Sequence, residues 1–379
     1  MSTDISALSE KVYIKGIRRD FKRQVKKNLE KDSTETLIEN NSIDDMTKYI
    51  NDFSEMFYER RLLKNVEGLS HWNVSNGTDF GYMFCNCYAL ENIEALGHWD
   101  VSKGTCFTCM FSECESLRNI SALSHWNVSM GKEFDDMFSC CFFEDISPLS
   151  LWNVANGFNF NSMFSYCIEM KSVEALFHWD VSNGTDFGGM FHSCESLENL
   201  KGLSNWNVSK GKNFDYMFGE CPYLKNIEAL FNWDVSNGFE FNAMFYGCKS
   251  LESTSALYNW NVSNANILSS MFASCKSLND LSGLSNWNVS NVHNFSAMFK
   301  GCESLNDISP LSLWDVSNGT EFNEMFEGCD SIRDISAIVN WRVPKGYDVR
   351  RMFEDVDGNL PKGIDDGQIE WLNENILRQ

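Results

Sequence analysis

Two apolar motifs recur along this chain with a period of 27 residues. The dipeptide Met-Phe begins at Met56, Met83, Met110, Met137, Met163, Met190, Met217, Met244, Met271, Met298, Met325 and Met352. A Trp column keeps the same spacing, at Trp72, Trp99, Trp126, Trp152, Trp179, Trp206, Trp233, Trp260, Trp287, Trp314 and Trp341. Such self-similarity predicts tandem repeats that stack on one another.

Each repeat contains fixed apolar positions, and the residues between them are variable and polar. In the copy that starts at Met190 the fixed positions are Met190, Phe191, Cys194, Leu197, Leu200, Leu203, Trp206, Val208 and Phe214. A single repeat is too short to bury so many apolar groups, whereas stacked repeats bury them in a continuous core. The spacing fits neither a sustained helical period nor strict alternation. We therefore expect a coil with several corners, not a helical hairpin.

A turn motif follows the Trp in most repeats. Its pattern is Asp or Asn, then Val-Ser-Asn-Gly, as in residues 73–77. Asn-Gly predicts a tight turn in which a positive φ is favoured at the Gly. Ala265 and Val292 replace this Gly in two copies, so a positive φ is not required in every copy.

One repeat is a residue shorter than the others, with 26 residues from Met137 to Met163. The missing residue lies between Cys141 and Ile146, where Phe142-Phe143 replaces the usual Glu-Ser-Leu. All later columns recover their phase, which indicates a local loop deletion.

The repeat resembles a known family. Its pattern M-F-x-x-C-x-S-L-x-x-I-x-x-L-x-x-W-[DN]-V-S-N is clear at residues 244–251 and 314–318, and it covers roughly residues 46–356. This pattern is similar to the BspA-type leucine-rich repeat of bacterial surface lipoproteins and of large DNA virus proteins. The resemblance implies a leucine-rich-repeat-like solenoid used for adhesion or protein contact, and it implies no catalytic residues.

The repeat and the resemblance together predict a β-rich solenoid. We expect a leucine-rich-repeat-like, right-handed parallel coil of about twelve 27-residue repeats with one or two short strands each. Residues 1–45 are expected to form a basic helical N-terminal cap or arm, residues 46–356 the solenoid and residues 357–379 a C-terminal cap. The side chains expected to cover the last coil are Ile369, Trp371, Leu372 and Ile376.

Composition narrows the function classes. The formal net charge of -22 argues against nucleic-acid binding by the body of the chain, since phosphates require Lys and Arg. This net charge is compatible with solubility, with basic protein partners or with cations. There is no apolar run long enough for a transmembrane span and no secretory signal pattern. We therefore expect an intracellular or virion-associated protein with reduced thiols, rather than one at the cell surface.

Ten of the fourteen Cys occupy one repeat position. They are Cys87, Cys114, Cys141, Cys167, Cys194, Cys221, Cys248, Cys275, Cys302 and Cys329. A single column offers no four-ligand cluster of the kind that zinc prefers, so we expect buried, reduced, metal-free thiols. Outside the column, Cys106 and Cys109 form a C-x-x-C, for which a zinc or redox role is the alternative to a variable loop.

Two further columns carry polar residues. His71, His98 and His125 each precede a Trp, and three stacked imidazoles are able to share a metal. Surface decoration is the favoured interpretation, because Leu151 and Asn205 occupy the same position. The Asp/Asn column after Trp suits calcium, but hydrogen bonds to the local backbone explain it without an ion.

The segment from residue 11 to residue 31 is strongly basic. It carries nine Lys or Arg against Asp20 and Glu30, and its apolar residues recur at steps of three or four. This pattern predicts an amphipathic helix that either caps the first coil or docks on an anionic partner. The residues expected to bind a partner are Lys15, Arg18, Arg19, Lys22, Arg23, Lys26 and Lys27.

No catalytic motif or cofactor site stands out from the repeat, so we expect no enzyme activity and no cofactor. The favoured function is a structural or protein-interaction scaffold, including a virion component of a large DNA virus. The alternative is a recognition or adhesion module that binds a soluble or cell-surface partner along one solenoid face. A uniform exposed face favours the first function, and a localised patch of exposed aromatic residues favours the second.

Overall fold

The computed structural model describes residues 46–345, 347–355 and 357–377. Its internal contacts group the chain into two units, Met1–Asn159 and Phe160–Gln379. The described part of the first unit holds the four coils that begin at Met56, Met83, Met110 and Met137, and the second unit holds the remaining coils. Each unit is a stack of coils with the same internal design.

A short 3₁₀ helix marks one corner of each coil. In the described part of the first unit these are η1 Glu67–Leu69, η2 Glu94–His98, η3 Ser121–His125 and η4 Ser147–Leu149. In the second unit they are η5 Glu174–His178, η6 Lys201–Leu203, η7 Glu228–Leu230, η8 Ser255–Leu257, η9 Ser282–Leu284, η10 Ser309–Leu311, η11 Ser336–Ile338 and η12 Val349–Met352. The sequence analysis did not predict these helices, because a single turn is too short to show helical periodicity.

A polar side chain sets the start of most of these 3₁₀ helices. Asn92 Oδ1 accepts the backbone N–H of Glu94 at 2.8 Å, and Asp307 does the same for Ser309 at 2.8 Å. This local bond competes with extended structure and turns the chain into the helix. The helix ends where the Trp N–H donates to the Leu carbonyl, as from Trp99 to Leu96 at 3.1 Å.

Neighbouring coils are joined by hydrogen bonds between backbone groups, but not by strands. In the first unit Tyr82, Phe84 and Asn86 donate to the carbonyls of residues 108, 110 and 112 at 2.8–2.9 Å. The residues between them donate to the carbonyl three residues earlier in the chain, as from Met83 to Phe80 at 3.2 Å. Among the described residues the β-structure consists of isolated parallel bridges, such as Asp79 with Cys106. The prediction of one or two strands per coil is therefore not confirmed.

Left-handed backbone explains why this segment does not form a strand. In each of the first eleven coils, the residue before Met and the third residue after it both have positive φ, as at Tyr82 (58°) and Asn86 (62°). These two kinks lie four residues apart and curl the chain around the Met-Phe pair. Most of the residues concerned are not Gly, although left-handed backbone costs about 1–2 kcal/mol for such residues. The hydrogen bonds to the next coil hold them in place.

The turn after Trp forms as predicted, but its Gly does not have positive φ. Gly77 N–H donates to Val74 O at 2.7 Å, while Gly77 is absent from the residues with left-handed backbone. Gly is needed there for space, because a Cβ on Gly77 would lie 2.4 Å from Cζ of Phe80. The prediction of positive φ is wrong, and close packing against Phe80 is the physical reason for the Gly.

Aromatic ladders form the core. All the fixed apolar positions predicted from the copy at Met190 are buried. In the second unit the indole rings of Trp233 and Trp260 stack at 6.4 Å with an angle of 1° between their planes, and Phe191 stacks on Phe218 at 5.8 Å. Each buried indole N–H is also satisfied, as by Trp233 Nε1 donating to Leu203 O at 3.1 Å. The prediction of stacked, equivalent Trp residues is confirmed within each unit.

The short repeat keeps these contacts. Trp152 Nε1 donates to Leu123 O at 2.9 Å, as Trp126 does to Leu96 O at 2.9 Å. Phe143 is fully buried and packs edge-on against Phe138 at 5.7 Å. The deletion is thus confined to one loop, as predicted.

The α-helix α1, Asp366–Leu377, packs on η12 in the second unit. The backbone N–H of Gln368 donates to Asp365 Oδ1, and the Gln368 Oε1 accepts from the backbone N–H of Asp365, both at 2.9 Å. This reciprocal pair is a capping box. Ile369, Leu372 and Ile376 are buried as expected, whereas Trp371 is 45% exposed.

Candidate interaction surface

The ten column cysteines are buried, as predicted, and each one with a recorded bond donates to a carbonyl of the preceding coil. Cys248 Sγ lies 3.1 Å from Phe218 O, and Cys114 Sγ lies 3.3 Å from Phe84 O. Burial raises the pKa of the Cys87 thiol to about 12 and that of Cys114 well above its usual value. These thiols are therefore protonated hydrogen-bond donors of the core, and all fourteen Cys are free of disulfides.

The Cys106–Cys109 pair lacks the chemistry of a reactive site. Burial raises the pKa of both thiols, to about 12 for Cys109, whereas reactive cysteines have lowered values. Cys106 Sγ lies 3.4 Å from Thr108 Oγ1. Within the described residues there is no group of three or more His, Cys, Asp or Glu side chains able to hold a metal ion.

The other polar columns are accounted for by the surface and the backbone. His71, His98 and His125 are exposed, as the favoured interpretation predicts. Each member of the Asp/Asn column accepts a hydrogen bond from the backbone two residues later, as when Asn207 Oδ1 accepts the N–H of Ser209 at 3.1 Å. The backbone explanation of this column is confirmed. The basic segment with Lys15, Arg18, Arg19, Lys22, Arg23, Lys26 and Lys27 lies outside the described residues.

A groove in the second unit lies where one coil lacks two side chains that the neighbouring coils carry. Its volume is about 330 Å³, and its lining includes the pair Gly188-Gly189 immediately before Met190. The equivalent residues are Asn161-Ser162 in the preceding coil and Asp215-Tyr216 in the following coil. A Cβ on Gly188 would lie 2.7 Å from Asn213 Nδ2, so the missing side chains open the floor of the groove.

Three aromatic rings lie beside this floor. The His192 ring makes edge-to-face contacts with Tyr166 at 5.3 Å and with Tyr216 at 5.4 Å. His192 Nδ1 lies 3.2 Å from Gly219 O, which fixes the imidazole. Tyr166 is 47% exposed and Tyr216 is 41% exposed. We call this site the Tyr166–His192–Tyr216 groove. Tyr166 adjoins it through the contact with His192, and the lining residues besides His192 and Tyr216 are Asn161, Ser162, Gly188, Gly189, Asn213 and Asp215.

Carboxylates and amides form the polar part of the groove. Asp186 Oδ1 accepts from Gly188 N, Asn161 Nδ2 and Asn213 Nδ2 at 3.0–3.1 Å. Asp215 Oδ1 accepts the backbone N–H of Asn242 at 2.6 Å. Burial, with the nearby charges of Glu240 and Asp186, raises the pKa of Asp215 to about 6. Burial also lowers the pKa of His192.

Shifted pKa values in a groove are typical of active sites as well as binding sites. However, Ser162 Oγ donates to Asn161 Oδ1 at 2.8 Å, not to His192. No hydrogen bond joins His192 to Asp215 among the described residues. The groove thus lacks a nucleophile paired with a base, and its exposed rings and half-buried carboxylate are suited to binding.

This site was not predicted from the sequence. The histidines that stand out there are those that precede Trp, and His192 lies at another repeat position. The available signal was the Gly-Gly pair at positions where neighbouring repeats carry larger side chains. In the described part of the chain no helix is both long enough and apolar enough to cross a membrane.

Comparison with solved structures gives distant likenesses to leucine-rich repeat proteins. A leucine-rich repeat protein from Bacteroides ovatus is 18% identical over 79% of this chain and 83% of its own, with a TM-score of 0.35. A leucine-rich cell surface protein from Faecalibacterium prausnitzii is 16% identical over 84% of this chain and 81% of its own, with a TM-score of 0.30. No curated protein matches the chain.

A family model matches the chain four times in tandem, at residues 27–147, 84–200, 139–256 and 252–362. Its description is "Mycoplasma protein of unknown function, DUF285". The overlapping matches reflect the 27-residue repeat, since each spans several coils. Together they cover most of the sequence, and the chain therefore belongs to the DUF285 repeat family.

Proposed function

We propose that this protein is a non-enzymatic recognition module that binds a partner protein through the Tyr166–His192–Tyr216 groove. The observation that carries the proposal is the break in the repeat at Gly188-Gly189, which opens a groove beside two exposed tyrosines. Tyr is favoured in binding sites because it offers a large contact area with little loss of conformational freedom. A localised aromatic patch is the feature that distinguishes recognition from a uniform structural face.

A matched pair of tyrosine variants tests this proposal. Tyr216→Ala removes a ring of the groove, whereas Tyr258→Ala removes an equally exposed ring that follows η8. Proteins cross-linked to the full chain in an extract of its native source are compared for both variants. A partner lost with Tyr216→Ala and retained with Tyr258→Ala supports the proposal. Partners that are retained by both variants would place recognition elsewhere.

A structural role in a virion or another large assembly is the second candidate. It is favoured by the repeating face after Trp, where Asn237, Asn264 and Asn291 each donate to a Ser carbonyl of the preceding coil at 2.7 Å. Because equivalent Asn side chains take the same geometry on successive coils, this face is uniform, as expected of a structural role. Sedimentation of the purified chain at increasing concentration tests this role, since a lattice protein forms large assemblies.

The N-terminal basic segment remains a separate proposal. Nine Lys or Arg within residues 11–31 stand against a chain of net charge -22, which favours contact with an acidic surface. Changing Arg18, Arg19, Lys22 and Arg23 to Gln is expected to weaken partner binding at low salt without lowering the melting temperature if the segment docks on a partner. A loss of thermal stability on deleting residues 1–31, with binding unchanged, indicates a cap instead.

A further inference from the structure

We propose that the Tyr166–His192–Tyr216 groove holds a Lys or Arg side chain of the partner, with the cation at Asp215 and against the tyrosine rings. This inference rests on the proposed recognition function and specifies the chemistry of the ligand. The occupant is a basic segment of a partner protein.

The first argument is the unbalanced charge at Asp215. This carboxylate is half-buried, and the charged groups that raise its pKa are Asp186 in the preceding coil and Glu240 in the following coil. Within the described residues no Lys or Arg forms an ion pair with it. Its recorded hydrogen bond is the one to the N–H of Asn242, so a carboxylate oxygen remains for a ligand. A bound cation would offset the repulsion between these carboxylates.

The second argument is the placement of the aromatic rings. Tyr166 and Tyr216 both contact His192 edge-to-face and are thereby held in fixed orientations with much of their surface exposed. A Lys or Arg head group close to a tyrosine face is attracted by the negative face of the ring. The methylene groups of such a side chain pack against the same rings. One long basic side chain therefore satisfies both parts of the groove.

A metal ion fits the groove less well than a basic side chain. The described residues contain no group of three or more metal-ligating side chains, and Asp186 Oδ1 already accepts three hydrogen bonds. The two tyrosines give no advantage to a metal. The net charge of -22 also attracts basic partners over a long range.

Binding of a cation at this site depends on pH. Asp215 is charged above a pKa of about 6, and it becomes neutral below that value. His192, whose pKa burial lowers, gains positive charge as the pH falls further. Asp186 and Glu240 are the other charged groups near Asp215. Between about pH 7.5 and pH 5, the titration of Asp215 alone weakens cation binding by about tenfold.

The test begins with a random peptide library displayed on phage and selected against the immobilised full chain. Parallel selections use Tyr216→Ala and the control Tyr258→Ala. Peptides enriched by the wild type and the control, but not by Tyr216→Ala, are the groove ligands. We expect these ligands to share a Lys or Arg at one fixed position. Urea unfolding of each variant confirms that an exposed tyrosine was removed without loss of the fold.

A second step isolates the charge. An enriched Arg peptide is compared with the same peptide carrying citrulline, which keeps the shape of Arg but is neutral. We expect citrulline, and separately Asp215→Asn in the protein, to weaken binding about tenfold in fluorescence anisotropy. Asp215→Asn should also remove most of the pH dependence, because the Asn amide does not titrate. The variant should keep its fold, since the Asn oxygen still accepts the N–H of Asn242.

The outcomes separate the two proposals. Groove ligands without a basic residue, or equal affinity for the Arg and citrulline peptides, overturn the cation site and leave the recognition function intact. A selection that yields no peptide dependent on Tyr216 overturns both. A loss of binding to Tyr258→Ala that equals the loss to Tyr216→Ala also contradicts both, because it places binding outside the groove.

Discussion

Replacing Gly211 by Ala is expected to destabilise the second unit through one steric contact. A Cβ on this residue would lie 2.4 Å from Cζ of Phe214 and 3.0 Å from Val208 O. Phe214 cannot move away freely, because it stacks on Phe187 at 5.8 Å and on Phe241 at 5.3 Å. Overpacking of a tight core costs about 1–3 kcal/mol, so we expect a loss of about 2 kcal/mol in the free energy of unfolding.

Another repeat of this chain already carries Ala at the Gly position together with a smaller residue at the Phe position. Ala265 occupies the same repeat position, and the residue equivalent to Phe214 is there Leu268. We therefore expect Phe214→Leu alone to cost about 1–2 kcal/mol through lost packing, and the double variant to cost no more than that. The coupling between the two sites would then be about 2 kcal/mol, well above the error of additivity.

Equilibrium urea unfolding, followed by Trp fluorescence, measures all four proteins of this cycle. Ala265→Gly serves as the control and is expected to change the free energy by less than about 1 kcal/mol, since no ring opposes Ala265. Losses that add within about 0.5 kcal/mol would refute the steric argument. They would show that Gly211 is required for its backbone conformation and not for space.

Val292 tests the same reasoning within the natural sequence, because it stands beside a retained ring, Phe295. Phe295 stacks on Phe322 at 5.2 Å, and its neighbour in the preceding coil is the smaller Leu268. The ring therefore has room on one side to yield to Val292. Gly211 has no such relief, since Phe214 has an aromatic neighbour on each side.

Three further changes test other features of the coils. Gly301→Ala should cost about 1 kcal/mol in urea unfolding, because φ is +71° and the nearest atom to a Cβ is 3.6 Å away, which leaves backbone strain as the cause. Trp233→Phe should cost about 2–3 kcal/mol, since it removes the hydrogen bond to Leu203 O and leaves a cavity; a loss below about 1 kcal/mol would contradict the packing argument. Asp136→Asn should stabilise the protein by up to about 1 kcal/mol after discounting for solvent screening at a partly exposed site. Burial and Asp135 raise the folded pKa of Asp136 from 3.8 to about 6, so its penalty exists above about pH 6 and disappears below about pH 4. A gain that is equal at both ends of this range would refute the electrostatic cause.

The burial pattern followed from the sequence because periodic apolar positions have few arrangements in which all are buried. The Trp and Cys columns are examples, and both lie in the core. The partner of each thiol did not follow, since a bond such as that from Cys248 to Phe218 O joins residues 30 apart and depends on the register between coils.

Backbone conformation was less predictable than burial. The left-handed position before Met is occupied by Tyr82, Asp136 and Ala243, which have no shared preference for that conformation. The Gly after the Trp turn was predicted to have positive φ but is required for space. Both needs select Gly, so the sequence does not distinguish them. Tertiary hydrogen bonds, rather than local preference, decide these positions.

The groove could not be predicted from the sequence for a different reason. Its lining residues are far apart in sequence and meet only when the coils are stacked in register. Gly188 and Asp215, for example, belong to different coils. A sequence pattern identifies a deviation from the repeat, but it does not show which deviations face solvent together. That knowledge required the positions of the side chains.

The equivalence of successive coil contacts has a consequence for how this gene can change. Within the second unit successive coils offer their neighbours the same Trp-to-carbonyl bond, and most of them the same stacked rings. Unequal recombination that adds or removes one whole repeat therefore creates a junction already compatible with the core. Such events alter copy number without a new folding problem, and they also shift or duplicate coils that carry special surface residues. Natural selection can thus vary the exposed surface by recombination, with little need for compensating point mutations.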